Sequence, residues 1–179
     1  MKNKIYPALI LILICTVVAA LLVTVNHFTA PEIERVEEQK IQDNLNRVYP
    51  GGENFKELNL ESLPKDISDT IVAVYTEDGG GYVFQMETQG YKSGLVIMCG
   101  ISPDGKIVGA KCVLSNETNK AENFLGDRFV GKDNATFAPE IVSGSTKTTN
   151  AYSKAIKDAL DAFDEINVKV KEEVSDEEQ

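Results

Sequence analysis

Tryptophan is absent from the 179 residues, histidine occurs once and cysteine three times. The lone His27 stands directly after an apolar N-terminal run, so neither a Ser-His-Asp site nor another catalytic acid–base constellation is expected. Cys15, Cys99 and Cys112 have neither zinc nor iron–sulfur spacing, and one histidine cannot complete such a set, so no metal site is expected. GxxxxGK[ST] is missing, which excludes a Walker loop, and GxGxxG is missing, which leaves a dinucleotide-binding Rossmann unit unsupported. Positive charge is scarce as well: 18 Lys and Arg face 28 Asp and Glu, a formal net charge of -10. Lys2 and Lys4 precede the apolar run, so the excess of acid falls on the rest of the chain. Such a surface repels nucleic acid and anionic lipid.

The first feature present is Ile5 to Val25, IYPALILILICTVVAALLVTV, without one charge. As a helix at about 1.5 Å per residue it spans about 31 Å, close to the ~30 Å hydrocarbon core of a bilayer. Lys2 and Lys4 lie before it, and Glu32, Glu34, Glu37 and Glu38 lie after it with Arg35 as the nearby positive charge. The positive-inside bias then puts the N-terminus in the cytoplasm and the rest outside. A cleaved signal peptide is the rival, but the apolar run exceeds the usual ~7–15 residues, and Pro31 comes after the candidate exit site His27-Phe28-Thr29-Ala30. The expectation is an uncleaved single-pass anchor in the cell membrane.

Beyond the anchor, Asn26 to Pro31 reads as a short link, with Pro31 at a first helical position. Ile33, Val36, Ile41, Leu45 and Val48 form a broken apolar stripe, and Pro50-Gly51-Gly52 ends that helix. Phe55 to Ser68 reads as loop. Strands are expected at Thr70–Thr76, Tyr82–Thr88, Gly94–Gly100 and Lys106–Leu114, with turns at Glu77–Gly81 and Ser102-Pro103-Asp104-Gly105. Phe124 and Phe129 are expected in the core, and a last amphipathic helix from about Asn150 to Phe163. The class is therefore α+β: an antiparallel sheet with packed helices, preceded by one transmembrane helix. The expected divisions are 1–4 cytoplasmic, 5–25 membrane helix, 26–50 juxtamembrane helix, 51–170 extracytoplasmic domain and 171–179 acidic tail. Cys99 and Cys112 fall on two arms of one hairpin, where a disulfide and two separate buried thiols are both open.

Ile141 to Asn150, IVSGSTKTTN, is a run of small and hydroxyl residues before the last helix. Locally it reads as an N-cap with a glycine turn. It also suits an anion, because a helix N-terminus offers free N–H groups and small residues let a ligand approach the backbone, while Lys147 either adds charge or points to solvent.

Ser143-Gly144-Ser145-Thr146-Lys147-Thr148 resembles the S-G-A-T-x-T flavinylation motif of FMN-binding domains, with Ser145 in place of the usual alanine. The resemblance implies FMN esterified through its phosphate to Thr148, with Ser143, Gly144, Ser145, Thr146 and Lys147 around it. It also implies a magnesium-dependent flavin transferase that uses FAD as donor, since a threonine hydroxyl is a weak nucleophile. Thr149 is the register rival. Gly144→Val is expected to block attachment by crowding the loop. The anchor with Asn26-x-x-Thr29-x-x-x-Ile33, then Gly90-Tyr91, then Asp104-Gly105-Lys106-Ile107, is similar to the G subunit of Rnf-type ion-translocating oxidoreductases. Glu117-Thr118 resembles the start of that family's E-T-P-G-L-G segment near the flavin, but Asn119-Lys120-Ala121-Glu122 departs from it. Glu117 and Thr118 are thus either flavin-side residues or a solvated turn.

The resemblance implies a subunit of a membrane complex that couples electron transfer between ferredoxin and NAD to Na⁺ or H⁺ movement. This subunit would relay electrons through covalent FMN, with the other membrane subunits as partners. The alternatives are the C subunit of a sodium-pumping NADH:quinone reductase, a stand-alone extracytoplasmic flavoprotein, and a non-catalytic anchored scaffold whose hydroxyl loop only caps a helix.

Overall fold

A computed structural model describes residues 5–60, 63 and 67–177. Lys2 and Lys4, expected in the cytoplasm, lie outside the described residues, as do parts of the expected 55–68 loop and the last two residues of the tail. The chain divides into two compact units, residues 1–41 and 42–179.

The first unit is helical. Helix α1 runs Ile5–Val48 without a break, so the expected link at Asn26–Pro31 is helix and Pro31 sits inside it. Proline removes one N–H donor but leaves the flanking bonds, and the neighbouring Thr29 hydroxyl donates to the Val25 carbonyl at 2.6 Å. The large apolar side chains from Leu9 to Phe28 are exposed, so the segment is apolar all round. It is the single helix among the described residues long and apolar enough to cross a membrane.

The second unit is a five-stranded antiparallel meander, β1 (Lys56–Glu57), β2 (Ile71–Thr76), β3 (Tyr82–Thr88), β4 (Leu95–Ile101) and β5 (Ile107–Leu114), in sequence order across the sheet. The turns at Glu77–Gly81 and Ser102–Gly105 join these strands as expected, and Gly105 takes the positive φ its turn requires. Strand β1 pairs Lys56 with Thr76 and Glu57 with Tyr75, inside the stretch read as loop. Alternation sends Phe84 and Met86 of β3 and Ile97, Cys99 and Ile101 of β4 into the main core.

Between β5 and the last helix come the short helix α2 (Glu122–Leu125) and a 3-10 turn, Gly126–Arg128. Phe129 is buried as expected, but Phe124 is 46% exposed. The short helix turns Leu125 and Glu122 inward instead, leaving the Phe124 ring under the Arg128 guanidinium at 5.6 Å.

Helix α3 (Thr146–Glu177) covers the core face of the sheet with Tyr152, Ala155, Ile156, Ala159, Leu160 and Phe163. It begins four residues earlier and ends well beyond the expected Asn150–Phe163, so the expected acidic tail is helical through Glu177. Asp158 ties it to the start of β2, accepting from the Ser68 and Thr70 hydroxyls at 2.9 and 2.8 Å. On the opposite face, Gly100 and Gly109 face each other across β4 and β5, and a Cβ on either would meet the Val48 carbonyl. The end of α1 lies there, with Leu45 and Val48 buried.

Cys99 and Cys112 are both free thiols. Cys99 faces Ala110 and Cys112 faces Ile97 across the ladder, so the two are offset rather than opposed. Burial pushes the Cys99 thiol far up, and burial with the nearby Glu122 pushes Cys112 up to about 11.

Candidate functional site

The site begins where α3 begins. Gly144 holds φ +80°, the turn that swings the chain into the helix. Ser145 then takes the half-in position: its N–H donates to the Val142 carbonyl at 3.0 Å, and its own carbonyl accepts from Thr149 N–H at 3.0 Å. Thr146, Lys147 and Thr148 occupy the first turn, where no carbonyl four residues back belongs to the helix, so their N–H groups are free for an anion.

The neighbouring hydroxyls differ in orientation. The Thr149 side chain is fully buried, donates to the Thr146 carbonyl and accepts from Val142 N–H, both at 3.3 Å. Thr148 is also buried, but it lines a cleft of about 510 Å³ with Tyr91, Glu117, Thr118, Asn119 and residues 144–147. Its hydroxyl donates to Glu117 Oε2 at 2.8 Å. The capping threonine and the cleft threonine are therefore separate residues.

Glu117 is buried, which removes the solvated-turn reading for its side chain, whereas Thr118 is exposed at the cleft edge. Glu117 Oε1 accepts from Lys92 N–H at 2.9 Å, and the Glu117 N–H donates to Ser115 Oγ at 3.0 Å. Ser115 Oγ in turn donates to the buried Glu122 carboxylate at 2.5 Å. Both Glu117 oxygens thus have a donor, as a buried carboxylate requires.

Gly90 closes the pair from behind. A Cβ there would lie 2.5 Å from Glu117 Oε1 and 3.1 Å from Thr148 Cα. Its neighbour Tyr91 is exposed on the cleft wall with Lys147 Nζ 5.9 Å from the ring centroid. Asn119, where the sequence departs from the expected E-T-P-G-L-G pattern, donates its amide to the Gly144 carbonyl at 2.5 Å and lines the cleft. Gly90, Tyr91, Lys92 and Asn119 were not readable as one site, because their meeting depends on tertiary packing. Ser143 is exposed and does not line the cleft. The space where a Gly144 Cβ would sit is open, so the expected crowding by Gly144→Val is replaced by backbone strain at its positive φ.

The groups present fit a phosphorylated flavin. The cleft lies within the ~300–1,000 Å³ usual for small-molecule sites. Free helix N–H groups and Lys147 suit a phosphate, and Tyr91 offers an aromatic face.

Comparison with known proteins agrees. A family model described as FMN-binding domain matches residues 90–161, and one described as RnfG N-terminal region matches residues 1–48. The G subunit of the Na(+)-translocating ferredoxin:NAD(+) oxidoreductase complex of Acetobacterium woodii is 30% identical over 164 residues, covering 83% of this chain and 79% of that protein. The chain belongs to the Rnf-complex G-subunit family. The G subunit of the ion-translocating oxidoreductase complex of Shewanella baltica is 26% identical, covering 83% of this chain and 82% of its own. The G subunit of the proton-translocating ferredoxin:NAD(+) oxidoreductase complex of Clostridium ljungdahlii is 24% identical, with 82% and 84% covered. In this G-subunit family member the FMN-binding match holds both halves of the Glu117–Thr148 pair and the Gly90 behind it.

Proposed function

We propose that this chain is the G subunit of a membrane-bound complex that couples electron transfer between ferredoxin and NAD to Na⁺ or H⁺ translocation. It relays electrons through FMN esterified to Thr148. The observation that carries the reading is the buried Thr148 hydroxyl, held at 2.8 Å by Glu117 in a cleft at a helix N-terminus. When bound, FMN supplies one- and two-electron redox chemistry.

The chain's own residues do the rest. The N–H groups of the first α3 turn and Lys147 would hold the phosphate. Tyr91 lines the cleft and would offer the flavin an aromatic face, and Asn119 fixes the Gly144 turn. Attachment is the work of a flavin transferase acting on Thr148. Helix α1 anchors the protein beside its membrane partners, with the N-terminus cytoplasmic and the domain outside. Three relatives named as G subunits, two of them from ferredoxin:NAD(+) complexes, support a role as one subunit of such a complex.

The test is Thr148→Ala in cells that make the whole complex. Membranes should retain the assembled complex and lose ferredoxin-dependent NAD reduction. Undiminished activity in a complex that contains the variant would contradict the proposal.

A further inference from the structure

We propose that Glu117 is the proton acceptor for the attachment reaction, so that this chain supplies its own base to the transferase. The inference rests on Thr148 being the attachment point. A threonine hydroxyl must lose its proton as it attacks phosphorus, and a base within hydrogen-bond reach is the first geometric requirement. Glu117 Oε2 meets it at 2.8 Å.

The carboxylate is aimed. Lys92 N–H occupies Oε1, which leaves Oε2 for Thr148. Ser115 Oγ accepts from the Glu117 N–H and is itself pinned by Glu122. Gly90 makes room for the pair, since any side chain there would strike the carboxylate.

The arrangement suits the reactant and not the product. In the free protein the hydroxyl donates and the carboxylate accepts. Once Oγ is esterified it has no proton to give, and Oε2 faces a phosphodiester anion instead of a donor. A group placed only to hold the finished cofactor would carry a donor at that point. A carboxylate there is explained by the step that consumes the proton.

The step balances without any redox change. The Thr148 Oγ–phosphorus bond forms, and the bond from that phosphorus to the bridging oxygen of a flavin dinucleotide's diphosphate breaks. The nucleoside monophosphate leaves with the electron pair. The hydroxyl proton passes to Glu117 Oε2 and then to solvent. The charged or titratable groups that share the cleft with Glu117 or act on it are Tyr91, Lys147 on α3, the Cys112 thiol on β5 and, through Ser115, Glu122.

The test is the rate of covalent flavin gain by the full chain, incubated with a flavin transferase, FAD and magnesium and followed by mass after denaturation. Glu117→Gln keeps an acceptor for Lys92 N–H but cannot take the proton. It should slow attachment by about 100-fold or more while melting like the native chain. Glu117→Asp, which keeps a carboxylate at shorter reach, should lie between the two, and it serves as the second variant if the glutamine form does not fold. Equal rates for the native chain and the Glu117→Gln variant would overturn the inference while leaving Thr148 as the attachment point. A native chain that gains no flavin at Thr148 would overturn the underlying reading instead.

Discussion

Two of the clefts that open on the domain make an instructive pair. One, of about 510 Å³, lies at the start of α3, and the other, of about 450 Å³, lies between the Ser102–Gly105 turn, Asp133–Ala135 and the stretch of α3 around Phe163 and Asp164. Volume does not separate them. The second is lined by Asp104, Asp133 and Asp164; Asp104 and Asp133 bond locally to Ser102 and Thr136, and the exposed Asp164 accepts from the Asn134 amide. Those bonds to Ser102 and Thr136 hold Asp104 and Asp133 below the usual carboxylate range, as any exposed turn carboxylate with local donors would be. The first cleft has a buried carboxylate bonded to a buried hydroxyl 31 residues away in sequence. Burying polar groups costs free energy that solvated turn residues never incur. A built polar pair at low exposure therefore sets the first cleft apart from a hollow ringed with acid.

Gly90→Ala should erase the contrast most fully. Its Cβ would displace the Glu117 carboxylate, so covalent flavin gain should fall at least about 10-fold, at a stability cost of about 1–3 kcal/mol read by denaturant unfolding. Gly144→Val comes next. A β-branched residue at φ +80° costs about 1–2 kcal/mol, and attachment should slow because the turn that aims Thr148 is strained rather than filled. Thr149→Val should cost about 1–2 kcal/mol through its lost hydrogen bonds to Val142 and Thr146 and leave flavin on Thr148. Flavin lost on this change and kept in Thr148→Ala would reverse the two roles. Asp164→Asn in the second cleft should change stability by less than about 0.5 kcal/mol and attachment not at all.

The fold was legible where local chemistry decides it. An uncharged run long enough for a bilayer marked α1, and glycine-rich turns between β-branched runs marked β2 to β5. Strand β1 was not, because Lys56 and Glu57 are exposed and carry no alternation; only their pairing with β2 makes them a strand. The start of α3 was placed late because Thr146, Thr148 and Thr149 are poor helix formers, and the side-chain bonds of Thr148 to Glu117 and of Thr149 to the Val142 and Thr146 backbone hold the turn. Helix α1 passed through Pro31 because one missing N–H does not outweigh the helix on either side. Phe124 was expected inside on hydrophobicity, yet Glu122 took the buried place beside it, bonded to Ser115.

The site divided along the same line. Residues 143–148 were readable as one motif, because they are contiguous. Glu117 could be read as flavin-side or solvated, and only the packing of the chain beyond β5 against the first turn of α3 brings it to Thr148. Gly90 and Asn119 join the same wall from two further segments.

On the proposed function Thr148, and not its buried neighbour Thr149, carries the cofactor. The most direct measurement is the intact mass of the chain after incubation with an active flavin transferase and full denaturation, with fragmentation to locate any addition. The expected result is a gain of FMN less one water on Thr148. An unmodified mass, with the transferase shown active on another acceptor, or an addition located on Thr149, would contradict it.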